Sequence, residues 1–128
     1  MNFLDSFRSM FSPSDAGVRR VEPTEAAQLV HDNKAVLVDV REAAEWAGGV
    51  AQKAVLLPLS DLTGQRLKWE PFLNQVGDRE IILYCHSGAR SGTAARMLVA
   101  EGFKAVNAGS LSAWHRAGLP VCKPKHLR

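Results

Sequence analysis

At 128 residues, with 46% hydrophobic and 23% charged residues, the chain has the size and composition of one soluble globular domain with a single core. Sixteen basic and thirteen acidic residues leave a formal charge of +3, scattered without the basic stripe or aromatic interleaving that nucleic-acid binding requires. What remains is a mild attraction for small anions, and no apolar run approaches the ~18 residues of a transmembrane segment.

Residues 1–17 read as an N-terminal amphipathic extension. Phe3, Leu4, Phe7, Met10 and Phe11 fall at helical spacing until Ser12-Pro13-Ser14 breaks the pattern. Its apolar face, residues 3–11, suits packing on its own domain, a homodimer contact or partner docking; Arg8 as the single polar-side cation argues against a membrane surface. Val18 to Val21 is a short strand, and Pro23 opens a helix to His31 with Ala26, Leu29 and Val30 on one face. Asp32-Asn33-Lys34 turns the chain into Ala35–Val40, an apolar run of the kind buried on both faces of a sheet. A short helix over Glu42–Trp46 ends at Gly48-Gly49, and a brief strand over Val55–Leu57 is closed by Pro58. Leu62–Val76 carries Trp69, Phe72, Leu73 and Val76 at helical spacing, which predicts a helix with Pro71 near its start.

After Gly77-Asp78, the β-prone run Ile81–Tyr84 ends in Cys85, and a helix follows from about Ser91 to a stop at Gly102. Ala105–Asn107 is a last strand, Trp114 anchors a closing helix, and Lys123–Arg128 is a basic tail. Strands alternating with helices predict an α/β fold, a small mostly parallel central sheet with helices on both faces. In such sheets ligands sit beyond the carboxyl ends of the strands, so Asp39 is expected on the same side as Cys85.

The junction at Cys85 is an arrangement for activating a thiol. Loop N–H groups can converge on the sulfur, a helix N-terminus contributes partial positive charge worth about 0.5–2 kcal/mol, and Arg90 adds a full charge. A free cysteine is only about 3% thiolate at neutral pH, and a shift of roughly two units makes it mostly thiolate, the nucleophilic form.

Cys85-His86-Ser87-Gly88-Ala89-Arg90-Ser91 resembles the C-x-x-G-x-R-S active-site loop of rhodanese-like sulfurtransferases. Asp39-Val40-Arg41-Glu42 with Glu45-Trp46, and Gly109-Ser110-Leu111 with Ala113-Trp114 and Ala117-Gly118-Leu119-Pro120-Val121, resemble two further segments of that family. The likeness spans residues 18–122 and departs at Gly49–Pro58, where a histidine, a second glycine and an asparagine common in relatives are absent. It implies a rhodanese-like domain in which Cys85 takes a sulfane sulfur from a small anionic donor such as thiosulfate. The Cys85 persulfide then passes it to cyanide, a thiol or a carrier protein, with no metal or organic cofactor. The alternatives are a non-catalytic binding module and a cysteine phosphatase or arsenate reductase. The phosphatase loop has five residues between cysteine and arginine, whereas four intervene here.

Within this reading His86, Ser87, Gly88, Ala89 and Arg90 form the substrate and persulfide loop, supported by Asp39, Arg41 and Ser91. Arg90 is expected to hold the anion and the thiolate, or else to pair with a carboxylate such as Asp39 or Glu42. His86 adds charge when protonated or simply faces solvent, and Ser87 offers its hydroxyl to the persulfide. Asp39 and Arg41 read as a supporting salt bridge, Glu45 and Trp46 as structural. Cys122 is a poor candidate for a resolving thiol, and His31, His115 and His126 lack metal-ligand spacing. The start Met1-Asn2-Phe3-Leu4-Asp5 makes a poor signal peptide and two cysteines make no disulfide framework, so a reducing, cytoplasmic setting is expected.

Overall fold

The two longest apolar runs become adjacent central strands. β2 (Ala35–Asp39) and β5 (Glu80–Cys85) pair in parallel with Val36 opposite Ile81 and Val38 opposite Leu83. The computed structural model describes residues 17–124, so the docking segment expected at 3–11 and the end of the basic tail lie outside the described residues. β1 (Arg19–Arg20), β4 (Val55–Leu56) and β6 (Ala105–Ser110) complete a five-stranded parallel sheet in the order β1-β6-β5-β2-β4. A separate antiparallel pair joins β3 (Val50–Ala51) to β7 (Val121–Cys122).

Alternation along β5 divides the core in two. Ile81, Leu83 and Cys85 point to one face, where they meet Leu62, Trp69, Ala94, Ala95 and Leu98. Ile82 and Tyr84 point to the other and meet Ala26, Leu37, Val106 and Trp114. Helices therefore cover both faces. α3 (Leu59–Leu62), α4 (Trp69–Gln75) and α5 (Ala89–Ala100) lie on the cysteine side, and α1 (Pro23–His31) and α6 (Leu111–Arg116) on the other. Burying each large aliphatic side chain of β5 contributes about 1.5–3 kcal/mol, so the strand that carries the cysteine is also the best anchored.

Two expectations need correction. The helix predicted over Leu62–Val76 is realised only as α4: Leu62 closes α3, and residues 63–68 form a loop between the two. Asp61 is the cause: its carboxylate accepts the N–H groups of Leu67 (2.9 Å), Lys68 (3.0 Å) and Trp69 (2.9 Å), so a new N-terminus forms at Trp69. Pro71 then sits in the first turn, where its missing N–H costs nothing. The helix after the cysteine starts at Ala89, two residues earlier than expected, because Gly88 takes a left-handed φ of 99° and turns the chain straight into it. That helix ends as expected: Gly102 is at φ 97°, and Phe103 N–H bonds back to Leu98 O at 2.9 Å. The β3–β7 pair had no sequence signal, being two residues on each side.

Candidate active site

The short helix α2 (Ala43–Trp46) and the end of β2 are held by one buried carboxylate. Asp39, with no exposed surface, accepts from Arg41 N–H (2.9 Å), Arg41 Nε (3.1 and 3.2 Å), Arg41 Nη2 (2.9 Å), Trp46 Nε1 (3.2 Å) and Tyr84 Oη. Arg41 also donates to Gly49 O at 2.6 Å, and Tyr84 Oη accepts Ala51 N–H at 2.9 Å. The pair thus ties β2, α2, β3 and β5 together. Burial pushes the Tyr84 hydroxyl upward, the Asp39 charge adds to it, and the tyrosine stays a donor. The hydrogen bonds of Asp39 and Arg41 go to this hub rather than to the cysteine loop.

Cys85 ends β5 with no exposed surface. Its sulfur accepts Gly88 N–H at 3.0 Å and Ser91 N–H at 3.4 Å, and the Ser91 hydroxyl oxygen lies 3.4 Å away. Burial pushes this thiol up, yet the hydrogen bonds from the Ser91 hydroxyl and from the Ser91, Gly88 and Ser87 N–H groups outweigh it. The net direction is down, toward thiolate. Gly88 is required at its position. Its φ is left-handed, and an added Cβ would stand 3.4 Å from Gly109 Cα. His86, Ser87 and Ala89 are exposed on the outer turn, and the Ser87 hydroxyl accepts Ala89 N–H at 3.4 Å.

Arg90 is turned away from the sulfur as a hydrogen-bond donor. Its guanidinium grips Glu45 with two bonds of 2.6 and 2.8 Å. Of the partners weighed from sequence, neither Asp39 nor Glu42 is the one it takes. Glu45 in turn closes a capping box with Glu42, whose carboxylate accepts Ser60 Oγ at 2.6 Å. The bond from Arg90 holds the Glu45 carboxyl down to about 2, burial opposes it, and the Glu42 N–H assists.

Asn107 escaped the sequence reading. It is buried in β6, its Oδ1 accepting Ser91 Oγ–H at 2.7 Å and Gly109 N–H at 2.9 Å while Nδ2 donates to Gly88 O at 3.0 Å. The β5–β6 register shifts at this point, from Leu83 opposite Asn107 to Tyr84 opposite Gly109. Such an irregularity re-aims a side chain, here toward the cysteine loop. The available signal was one amide inside the apolar run Ala105–Ala108.

The segment that builds most of this sheet, the buried thiol and the Asp39–Arg41 hub matches, as a sequence, the rhodanese-like domain over residues 22–117. The chain belongs to the rhodanese-like domain family. A protein of Allochromatium vinosum named sulfurtransferase is 35% identical over 111 residues, covering 84% of this chain and 98% of that one. An uncharacterized protein of Synechocystis is 36% identical over 108 residues, covering 83% of this chain; the match spans 57% of that longer relative. Among solved structures, the polysulfide-sulfur transferase homodimer of Wolinella succinogenes superposes with a TM-score of 0.68 at 25% identity, covering 98% of this chain and 93% of that one. Among the described residues no helix is long and apolar enough to cross a membrane.

In this rhodanese-like domain the Arg90–Glu45 pair has a pH signature. The Glu45 carboxyl is lower in the folded state than its ordinary 4.5, so its contribution to stability is complete above about 4.5 and is lost as pH falls through about 2. Both side chains are one-third exposed, so screening holds the effect to roughly 1 kcal/mol or less. Urea unfolding of wild type and Glu45→Gln is expected to differ at pH 6 and to converge near pH 2. A difference that persists undiminished at pH 2 contradicts the pairing.

Proposed function

We propose that this protein is a sulfurtransferase in which Cys85 carries the transferred sulfur. The observation that carries the reading is the Cys85 sulfur held under the Gly88 and Ser91 N–H groups at the N-terminus of a 12-residue helix. The relatives named for sulfur transfer support it. With thiosulfate as donor, the Cys85 thiolate attacks the outer sulfur, the donor S–S bond breaks, and sulfite leaves with its electron pair. The persulfide anion is stabilised by the same fixed amide donors, which need no reorganisation as charge moves onto the outer sulfur. Cyanide or an acceptor thiolate then attacks that outer sulfur and returns Cys85 as thiolate. The two free cysteines suit a reducing setting, and we place this activity in the cytoplasm.

A groove of about 660 Å³ beside the loop is lined by Ser87, Ser110, Arg20 and Arg116 together with Glu22 and Glu25, a wall of mixed charge that leads to the loop. A larger cavity, about 750 Å³ near β3 and β7, includes Cys122 but shares no lining residue with the loop. The phosphatase alternative is disfavoured because only four residues separate Cys85 from Arg90, one fewer than the loop that encircles a phosphate, and because Glu45 already holds the Arg90 guanidinium. Thiocyanate formation from thiosulfate, or from glutathione persulfide, and cyanide is compared with hydrolysis of an aryl phosphate. Sulfur transfer that disappears in Cys85→Ser, with negligible phosphate release, is expected. Cys85-dependent aryl-phosphate hydrolysis at a comparable rate would overturn the reading.

A further inference from the structure

The Ser91 hydroxyl has one proton and two acceptors beside it. Cys85 Sγ is 3.4 Å away and Asn107 Oδ1 is 2.7 Å away. The orientation of the Asn107 amide is set by its neighbours. Gly109 N–H can only donate, so it faces Oδ1, and Gly88 C=O can only accept, so it faces Nδ2. Oδ1 therefore cannot donate to Ser91, and the 2.7 Å contact requires the serine proton to lie on the asparagine side. In that arrangement Ser91 turns a lone pair toward the sulfur. A lone pair suits a thiol, whose S–H can donate to it, and opposes a thiolate or a persulfide.

We infer that Asn107 is a positioning residue for the reaction, and that Ser91 is a proton rotor which points at Asn107 while Cys85 is a thiol and swings to the sulfur when Cys85 is an anion. On ionisation the S–H bond breaks, its proton goes to water, and the electron pair stays on sulfur. The serine O–H then rotates without breaking, exchanging its bond to Asn107 for one to the sulfur. Asn107 thus opposes the thiolate through Ser91 while holding Gly88, whose N–H favours the thiolate. The inference concerns the thiol itself. It draws its importance from Cys85 carrying the sulfur, but it can fail while sulfur transfer stands.

The charged and titratable groups around this cluster are Arg90, held by Glu45; His86 on the exposed turn; Arg20, with a guanidinium nitrogen 3.4 Å from the Cβ position of Gly109; and the Asp39–Arg41 pair. All are common to the variants compared, so they cancel in the effect of removing Ser91. The rate of alkylation of Cys85 against pH is measured in a Cys122→Ser background for wild type, Ser91→Ala, Asn107→Ala and the double variant. Removing the hydroxyl is expected to weaken the Cys85 acid constant roughly threefold more when Asn107 is absent than when it is present. An equal or smaller effect in the Asn107→Ala background overturns the rotor. The infrared S–H stretch at low pH reads the thiol state without any change at Asn107. It is expected at lower frequency in the Cys122→Ser protein than in its Ser91→Ala variant, because the thiol donates to the serine oxygen. Coincident bands would refute the arrangement even if the Asn107 variants do not fold.

Discussion

Replacing Asp39 with asparagine is expected to lower the stability of the domain by about 3–5 kcal/mol, the usual consequence of breaking a buried ion pair from one side. The reason lies in the donors around it. Two guanidinium nitrogens, one backbone N–H, the Trp46 indole and the Tyr84 hydroxyl all point at this carboxylate. An amide of the same shape turns an NH2 group toward some of those donors and leaves the Arg41 charge, only 7% exposed, without its counter-ion. Because Arg41 also holds Gly49 O and reaches Glu45 O at 3.4 Å, the damage extends to β3 and to the helix that presents Glu45 to Arg90. The loss appears as a lower urea midpoint with the slope unchanged. A loss below about 1 kcal/mol would mean that the hub is replaceable and that packing alone holds β2 against β3.

Much of this molecule was legible in the chain. Ala35–Val40 read as a strand buried on both faces and Ile81–Tyr84 as a β-prone strand because both are apolar runs of strand length, and they are the centre of the sheet. Pro23 and the turn at Asp32 bound the first helix at the expected residues. The position of Cys85 at a strand end followed by a glycine turn and a helix was readable for the same local reason.

What escaped were pairings that local pattern does not encode. Apolar spacing over Leu62–Val76 could not reveal that Asp61 captures three N–H groups and starts a second helix. Arg90 and Glu45 meet across 45 positions, and nothing local prefers Glu45 over the other carboxylates of the same segment. Asn107 announced only that a buried amide needs partners, while its place above Ser91 depends on a register shift in β6.

The central claim is that sulfur loads onto Cys85, and the mass of the intact protein tests it most directly. After incubation with thiosulfate, or with a persulfide donor, the protein is expected to gain one sulfur atom, which peptide mapping locates at Cys85. Cyanide should remove that atom and release thiocyanate. The Cys85→Ser protein should gain nothing, a complete loss because a serine hydroxyl is neither ionised near neutral pH nor able to hold a sulfane sulfur. The exposed Cys122 should stay unmodified, since it lies on β7 outside the Gly88 and Ser91 cradle that stabilises the anion. No added mass with any donor, or an added sulfur that persists in Cys85→Ser, would contradict the account.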